Sequence, residues 1–326
     1  MEKIDILMAT YNGEKYISAQ IESVLKQTYS NFNLIILDDS STDNTYSILE
    51  EYAKIDRRIV LSSNNKNLGS NKTFSSLLKK VKSNFFMFCD QDDIWSNTKI
   101  EDSLNQLKKE NSDLVFTDLE IVDQNMNTLN YSFNKKKKYY KKIKKINDLR
   151  LVYLYNVVTG CTILCKSKYI NDILKFSNNK KVLHDHITPL VVLIKKGKIT
   201  YLDKTTIKYR QHANNQVGSS RYIDQFTDFI DIRTHLINVK VNLFSYYLDN
   251  NEFFNENYKR LNIEAFNYFS LIKGKSNVNF KQIKTFITLY KNENLLYFLA
   301  NFCIMNLPGL VKILFRIKSV FKKDVK

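Results

Sequence analysis

Apolar residues in this chain come in short blocks, and each block ends on a polar loop. Ile4 to Ala9 is a compact apolar run closed by Thr10-Tyr11-Asn12-Gly13, and behind it Ile17, Ile21, Val24 and Leu25 recur at helical spacing. Leu34 to Leu37 repeats the pattern. It ends in Asp38-Asp39-Ser40-Ser41-Thr42-Asp43, after which Ile48, Leu49 and Tyr52 mark a helix with Asp43 as its expected cap. Ile59 to Leu61 is a third short strand and Asn67-Leu68-Gly69 a turn. Leu77, Leu78 and Val81 then form the buried face of a helix that delivers the chain to Phe85. Strands alternating with helices in this way predict an α/β fold around a mostly parallel sheet.

The fourth block, Phe85 to Cys89, ends abruptly in Asp90-Gln91-Asp92-Asp93-Ile94-Trp95. A core strand has no packing use for three carboxylates at its end. In a parallel sheet the carboxyl ends of the strands form the ligand crevice, so Asp90 and Asp92 would aim their oxygens there at a divalent cation. Mg²⁺ and Mn²⁺ take few protein carboxylates and fill their shells with water and phosphate, which suits a ligand carrying a diphosphate.

Beyond Trp95 a helix with Ile100, Leu104 and Leu107 leads to the strand Leu114 to Thr117, which Leu119 to Val122 extend or pair with. Gly160 to Cys165 returns to strand texture, with Cys161, Ile163 and Cys165 expected on one face. Leu183-His184-Asp185-His186 opens an apolar helix, and Ile199 to Leu202 leads to Tyr209-Arg210-Gln211-His212. From Arg221 the periodicity is helical and rich in aromatics, among them Phe226, Phe229, Phe244, Tyr246, Tyr247, Phe266 and Phe269. Two domains are therefore expected, 1–220 and a helical 221–326. The last stretch, Leu295 to Phe321, is interrupted by Asn301, Asn306, Pro308-Gly309, Lys312, Arg316 and Lys318, too often for a membrane-spanning helix. Two short helices hinged at Pro308 suit a monotopic membrane contact, a docking surface or packing on the first domain.

Charge adds a partner class. The 326 residues carry 50 Lys and Arg against 33 Asp and Glu, a net charge of +17, which implies a polyanionic neighbour: nucleic acid, an anionic membrane surface or phosphorylated substrates. Lys135 to Lys138, Lys141, Lys142, Lys144 and Lys145 concentrate this charge around Tyr139 and Tyr140 in what reads as a solvated loop. Aromatics at RNA-module spacing and a recognition helix are missing, so no nucleic-acid partner is expected. The four cysteines lack Cys-x-x-Cys spacing and read as reduced core residues of a cytosolic protein, and Met1 to Asp5 lead straight into a strand without an export signal.

Taken together, Ala9 to Gly13, Gln27-Thr28-Tyr29, Leu37 to Thr45, Asn67-Leu68-Gly69 and Asp90 to Trp95 resemble the family 2 glycosyltransferases of the GT-A fold, inverting enzymes that use nucleotide-diphosphate sugars. Thr159 to Leu164, His184-Asp185-His186 and Tyr209 to Gly218 look most like its bacterial rhamnosyltransferase-type members. The resemblance covers Ile4 to about Gln216.

That chemistry needs a nucleotide pocket, neutralisation of the leaving charge and a base for the acceptor hydroxyl. The resemblance implies nucleotide-sugar contacts from Thr10, Tyr11, Asp39, Asp90, Gln91, Asp92, Arg210 and His212, with Tyr11 stacking on a base and Asp39 accepting its imide N–H. It implies a Mg²⁺ or Mn²⁺ site at Asp92, Asp90 and His212, and Asp185 as the general base. Trp95, Gly160, Cys161 and His184 are expected around the sugar and acceptor. The donor would be dTDP-rhamnose or a UDP-hexose, and the acceptor a glycan or lipid-linked glycan of the cell surface, at the inner face of the plasma membrane. The Gln-x-x-Arg-Trp motif of processive members is absent, which implies one sugar per encounter. A basic nucleic-acid-binding protein or a non-catalytic scaffold is the alternative, and a scaffold would ordinarily have lost Asp92 or Asp185.

Overall fold

The computed structural model describes residues 2–135, 143, 146, 149–155, 157–176, 182–212, 229–273, 280–290, 299, 302, 303 and 305–307. The lysine run from Lys136 to Lys145, Ala213 to Gln216, Arg221, Phe226 and the expected hinge at Pro308 lie outside the described residues. Contacts divide the chain into two compact units, Met1–Gln216 and Val217–Lys326.

The first unit opens as strand and helix by turns: β1 (Ile4–Thr10), α1 (Ile17–Leu25), β2 (Phe32–Asp38), α2 (Thr45–Ile55), β3 (Ile59–Ser63), α3 (Ser70–Leu78) and β4 (Phe85–Cys89). These strands pair in parallel in the order β3-β2-β1-β4. Both faces of β1 and β4 are buried, which explains their unbroken apolar runs. Ile4, Ile6 and Met8 join Val24, Leu34 and Met87 in the main core, while Leu7, Ile35, Phe86 and Phe88 are buried outside that cluster. Because the chain leaves β1 to one side through β2 and β3 and returns to the other at β4, the order switches beside β1. That is where a crevice opens in such sheets.

The remaining strands make the sheet mixed. They are β5 (Ile94–Trp95), β6 (Leu114–Val122), β7 (Thr128–Asn130), β8 (Ile163–Lys166) and β9 (Ile199–Arg210), separated by α4 (Lys99–Lys109), α5 (Leu149–Leu154), α6 (Ile170–Phe176) and α7 (His184–Ile194). β8 lies antiparallel between β4 and β6, and two reversals leave β6 and its parallel partner β9 running with β4. The carboxyl end of β9 therefore emerges on the same edge as the acidic end of β4. β5 reinforces this by pairing antiparallel with β9, Ile94 with Lys208 and Trp95 with Ile207, which folds the acidic loop onto Arg210. Leu119 to Val122 extend β6, and β9 is far longer than Ile199 to Leu202.

One strand begins later than its pattern implies. Gly160–Thr162 is a 3₁₀ turn and β8 starts at Ile163, so Cys161 packs with Leu164 in the main core, not with Ile163 and Cys165. The turn breaks the period of two on which the one-face expectation rested.

The second unit holds α8 (Phe229–Asp249), α9 (Glu256–Ile272) and α10 (Phe280–Tyr290). Asn255 caps α9 by accepting the Tyr258 amide at 3.1 Å. Its core is aromatic: Phe244 stacks on Phe269, with ring centroids 5.5 Å apart, and Phe286 on Tyr290 at 4.5 Å. Among the described residues no helix is long and apolar enough to cross a membrane.

Candidate active site

Three loops meet at the carboxyl edge of the sheet, and side-chain hydrogen bonds knit them. The β1–α1 loop turns at Asn12, whose φ is +47°, a conformation Asn tolerates. The Asn12 amide donates to Ser41 Oγ at 3.0 Å, and Asn12 Oδ1 accepts the Thr42 amide at 2.8 Å. Asp43 stands at the head of α2, accepting the Thr45 amide at 3.0 Å, and it also takes the Glu14 amide at 3.2 Å. These bonds leave Tyr11 projecting, 41% exposed, which excludes an ordinary core aromatic.

Two expected nucleotide contacts have structural roles. The Thr10 hydroxyl is buried and donates to Asp38 Oδ1 at 2.8 Å, so it joins β1 to β2 and is not open to a ligand. Arg210 is also buried. Its Nε donates to the Asp92 carbonyl at 2.9 Å and its Nη1 to the Gln124 carbonyl at 3.0 Å, while its backbone amide reaches Asp93 Oδ1 at 3.2 Å. A guanidinium bound in this way clamps the acidic loop.

Asp39 and Gln91 border the crevice with much of their capacity used. Asp39 accepts from Asn64 Nδ2 at 2.7 Å, the Leu68 amide at 3.0 Å and the Gly69 amide at 2.8 Å, organising the loop before α3. A base N–H would share an oxygen of this carboxylate. Gln91 grips the backbone of Tyr11 at two points: its Oε1 accepts the amide at 2.8 Å and its Nε2 donates to the carbonyl at 3.0 Å. Gly13 gives that amide room, since a Cβ there would sit 2.4 Å from Gln91 Oε1.

The expected metal residues divide into two groups. Asp92 Oδ2 and His212 Nε2, 120 positions apart in sequence, lie 2.8 Å from each other. Asp90 groups closely with Asp93 and Cys161, all three ligand atoms within 4.8 Å of one another. Burial, with the carboxylates of Asp92 and Asp185 nearby, pushes the Asp90 carboxyl up to about 7. The crowding of like charge beside an imidazole nitrogen suits a hard divalent cation, which would offset it. Asp92 and His212 are the residues placed to hold one, with Asp90 next to them. Cys161 is a poorer ligand, because burial drives its thiol well above the usual range and keeps its proton on.

Behind this loop lies a charge that sequence reasoning missed. Lys99 is fully buried, its Nζ 4.5 Å from the centroid of the Trp95 ring, and burial pulls the ammonium down to about 8. Its signal was positional: Lys99, Ser103 and Leu107 follow one another at four-residue intervals along the buried stripe of α4.

The four residues expected around sugar and acceptor all make packing contacts. Trp95 is 2% exposed and belongs to the main core, its amide held by Ser23 Oγ at 3.0 Å, so a sugar cannot reach its ring. Cys161 is buried in the same core. The His184 imidazole lies against Phe74 and Phe88, with centroids 4.1 and 4.6 Å away, and burial holds it down to about 3, hence neutral. Gly160 admits the head of α7: a Cβ would stand 3.0 Å from His184 Nε2 and 3.1 Å from Asp185 Cβ.

Asp185 itself is the second residue of α7, half-buried and within electrostatic range of Asp90. Pro189, four residues on, has no N–H to give to the Asp185 carbonyl, so the first turn of α7 rests on other bonds. One is Thr188 Oγ1 donating to the His184 carbonyl at 2.8 Å.

The family model of glycosyl transferase family 2 matches residues 5–174. The chain is 33% identical over 225 residues to the dTDP-rhamnosyl transferase RfbG of Shigella flexneri, covering 65% of this chain and 74% of that one. It is 38% identical over 122 residues to the UDP-Glc:alpha-D-GlcNAc-diphosphoundecaprenol beta-1,3-glucosyltransferase WfgD of Escherichia coli, 37% of this chain and 47% of that one. Among solved structures, S. aureus TarS 1-349 in complex with UDP-GlcNAc has the same fold, with a TM-score of 0.56 at 19% identity over 88% of this chain and 79% of that one.

Proposed function

The chain belongs to glycosyl transferase family 2, and on that premise we propose that it is an inverting transferase moving a hexosyl group from a dTDP- or UDP-sugar to a cell-surface glycan acceptor. The meeting of Asp92 with His212 at 2.8 Å, beside an Asp90 pressed by two further carboxylates, carries this reading. In it, Asp92 and His212 would hold Mg²⁺ or Mn²⁺, with the Asp90 carboxylate beside them. The cation supplies neutralisation of the diphosphate leaving group.

The remaining work falls to the chain's own side chains. Tyr11, exposed beside the switch in strand order, stacks on the base, and Asp39 shares an oxygen with its imide N–H. Gln91 keeps the Tyr11 backbone fixed, so the base meets a prepared surface. Asp185 takes the proton from the acceptor hydroxyl as the new bond forms, on the opposite side of the anomeric carbon from the leaving group, which inverts the centre. Its placement near Asp90 supports this role, because both ends of an in-line displacement must lie in one crevice. The glucosyltransferase relative is named for a diphosphoundecaprenol acceptor, and a lipid-linked acceptor at the inner face of the membrane fits a chain of charge +17. Family membership does not favour the nucleic-acid-binding reading, and the presence of Asp92 and Asp185 weighs against a non-catalytic scaffold.

Calorimetric titration of wild type and Asp92→Ala with UDP and dTDP, each with and without Mn²⁺, tests the proposal. One nucleotide is expected to bind at least about tenfold more tightly with Mn²⁺, and Asp92→Ala to abolish that gain. A chain that binds neither nucleotide, or binds with no metal effect, overturns it.

A further inference from the structure

Tyr16, a residue the expected site did not contain, lies between the loop that carries Tyr11 and the residues that meet the acidic loop. It is the N-cap of α1, half-buried, with its amide donating to the Gly13 carbonyl at 2.9 Å. Its ring packs on polar neighbours. The Arg210 guanidinium carbon stands 4.6 Å from the ring centroid, and the His212 imidazole lies 4.8 Å away at an interplanar angle of 33°. Lys15 Nζ is 5.2 Å from the same ring. Arg210 is fixed to the carbonyls of Asp92 and Gln124, so the ring rests against an anchored group.

Two of the contacts that orient His212 are Asp92 Oδ2 at Nε2 and the Tyr16 ring at its side. A hydrogen bond at one nitrogen does not by itself fix the plane of an imidazole, and a ring packed beside it restricts rocking about that bond. We infer that Tyr16 is a positioning residue for the cation site: pinned by Arg210, it holds the His212 imidazole so that Nε2 and the Asp92 carboxylate converge on one point. The inference rests on the reading of Asp92 and His212 as the cation-holding pair. It also ties the loop that carries Tyr11 to that pair through five residues of chain. Hydrogen-bond partners that orient a ligating imidazole typically govern metal affinity by about 10- to 100-fold, and a ring packed at its side acts on the same orientation.

Mn²⁺ binding to the full chain in the presence of UDP or dTDP, followed by electron paramagnetic resonance, separates the possibilities. Tyr16→Leu is expected to weaken Mn²⁺ binding about tenfold, and Tyr16→Phe, which keeps the ring, to bind like wild type. Added to His212→Ala, Tyr16→Leu should cost nothing further, since its effect passes through the imidazole. Should Tyr16→Leu not fold by circular dichroism, Tyr16→Met fills the volume without a flat face and carries the same comparison. If His212→Ala leaves Mn²⁺ affinity unchanged, the cation-site reading fails and takes this inference with it. If His212→Ala weakens binding while folded Tyr16→Leu and Tyr16→Met do not, or if the double variant is weaker than His212→Ala, the role of Tyr16 alone is overturned.

Discussion

His184 sits between Phe74 and Phe88, and burial lowers its imidazole from 6.5 to about 3. The unfolded chain then binds a proton near pH 6.5 that the folded chain refuses until about pH 3, so unfolding takes up protons throughout that window. Stability from this residue is fully present above pH 6.5 and is lost as the pH falls, by at most about 1.4 kcal/mol per unit. Asp90, raised from 3.8 to about 7, contributes the opposite slope, its penalty growing as the pH rises through that range. That slope is common to wild type and to His184→Phe. Urea unfolding of both between pH 7 and pH 4 should therefore show wild type losing stability relative to His184→Phe as the pH falls. Residue types announced a polar crevice, but not which of its members face a ligand. Thr10, Trp95 and Arg210 were singled out by residue type, and only the fold shows them buried against Asp38, the main core and the Asp92 carbonyl.

At the scale of elements, the site depends on how α7 meets the 3₁₀ turn before β8. Gly160→Ala would place a methyl 3.0 Å from His184 Nε2 and 3.1 Å from Asp185 Cβ, and the head of α7 must give way. Overpacking of this kind costs about 1–3 kcal/mol in unfolding free energy. Turnover should fall through displacement of Asp185, by less than the roughly 100-fold that a misplacement of about 1 Å costs, while UDP, dTDP and Mn²⁺ binding stay at wild-type strength. Steady-state kinetics and calorimetry on one preparation check both halves, and a parallel loss of nucleotide binding would place Gly160 elsewhere in the mechanism. The parallel half of the sheet was legible because each strand there is an unbroken apolar run followed by a helix. β8, β5 and β9 were less so. Their pairing directions follow from which edges they find in the folded sheet, and no local period encodes that.

For the whole molecule, charge is the property that composition states outright. At +17 the chain should bind vesicles containing anionic phospholipid at low ionic strength, each surface Lys or Arg contributing about 1 kcal/mol. It should leave them as salt shortens the screening length to about 3 Å near 1 M, and neutral phosphatidylcholine vesicles should not bind. Sedimentation with vesicles across a salt series measures this. Retention at high salt would point instead to an apolar contact.

The sequence by itself determined the α/β alternation, the family, the acidic loop after β4 and the aromatic helices of the second unit, because each is written in local period or in contiguous motif. The family resemblance implied that Asp92 and His212 share a site; tertiary structure alone set their direct contact at 2.8 Å, the clamping of a backbone by Arg210, and the burial of Lys99 behind the site. Those facts depend on the antiparallel insertion of β8 and the return of β5 to β9, which bring distant strand ends to one edge.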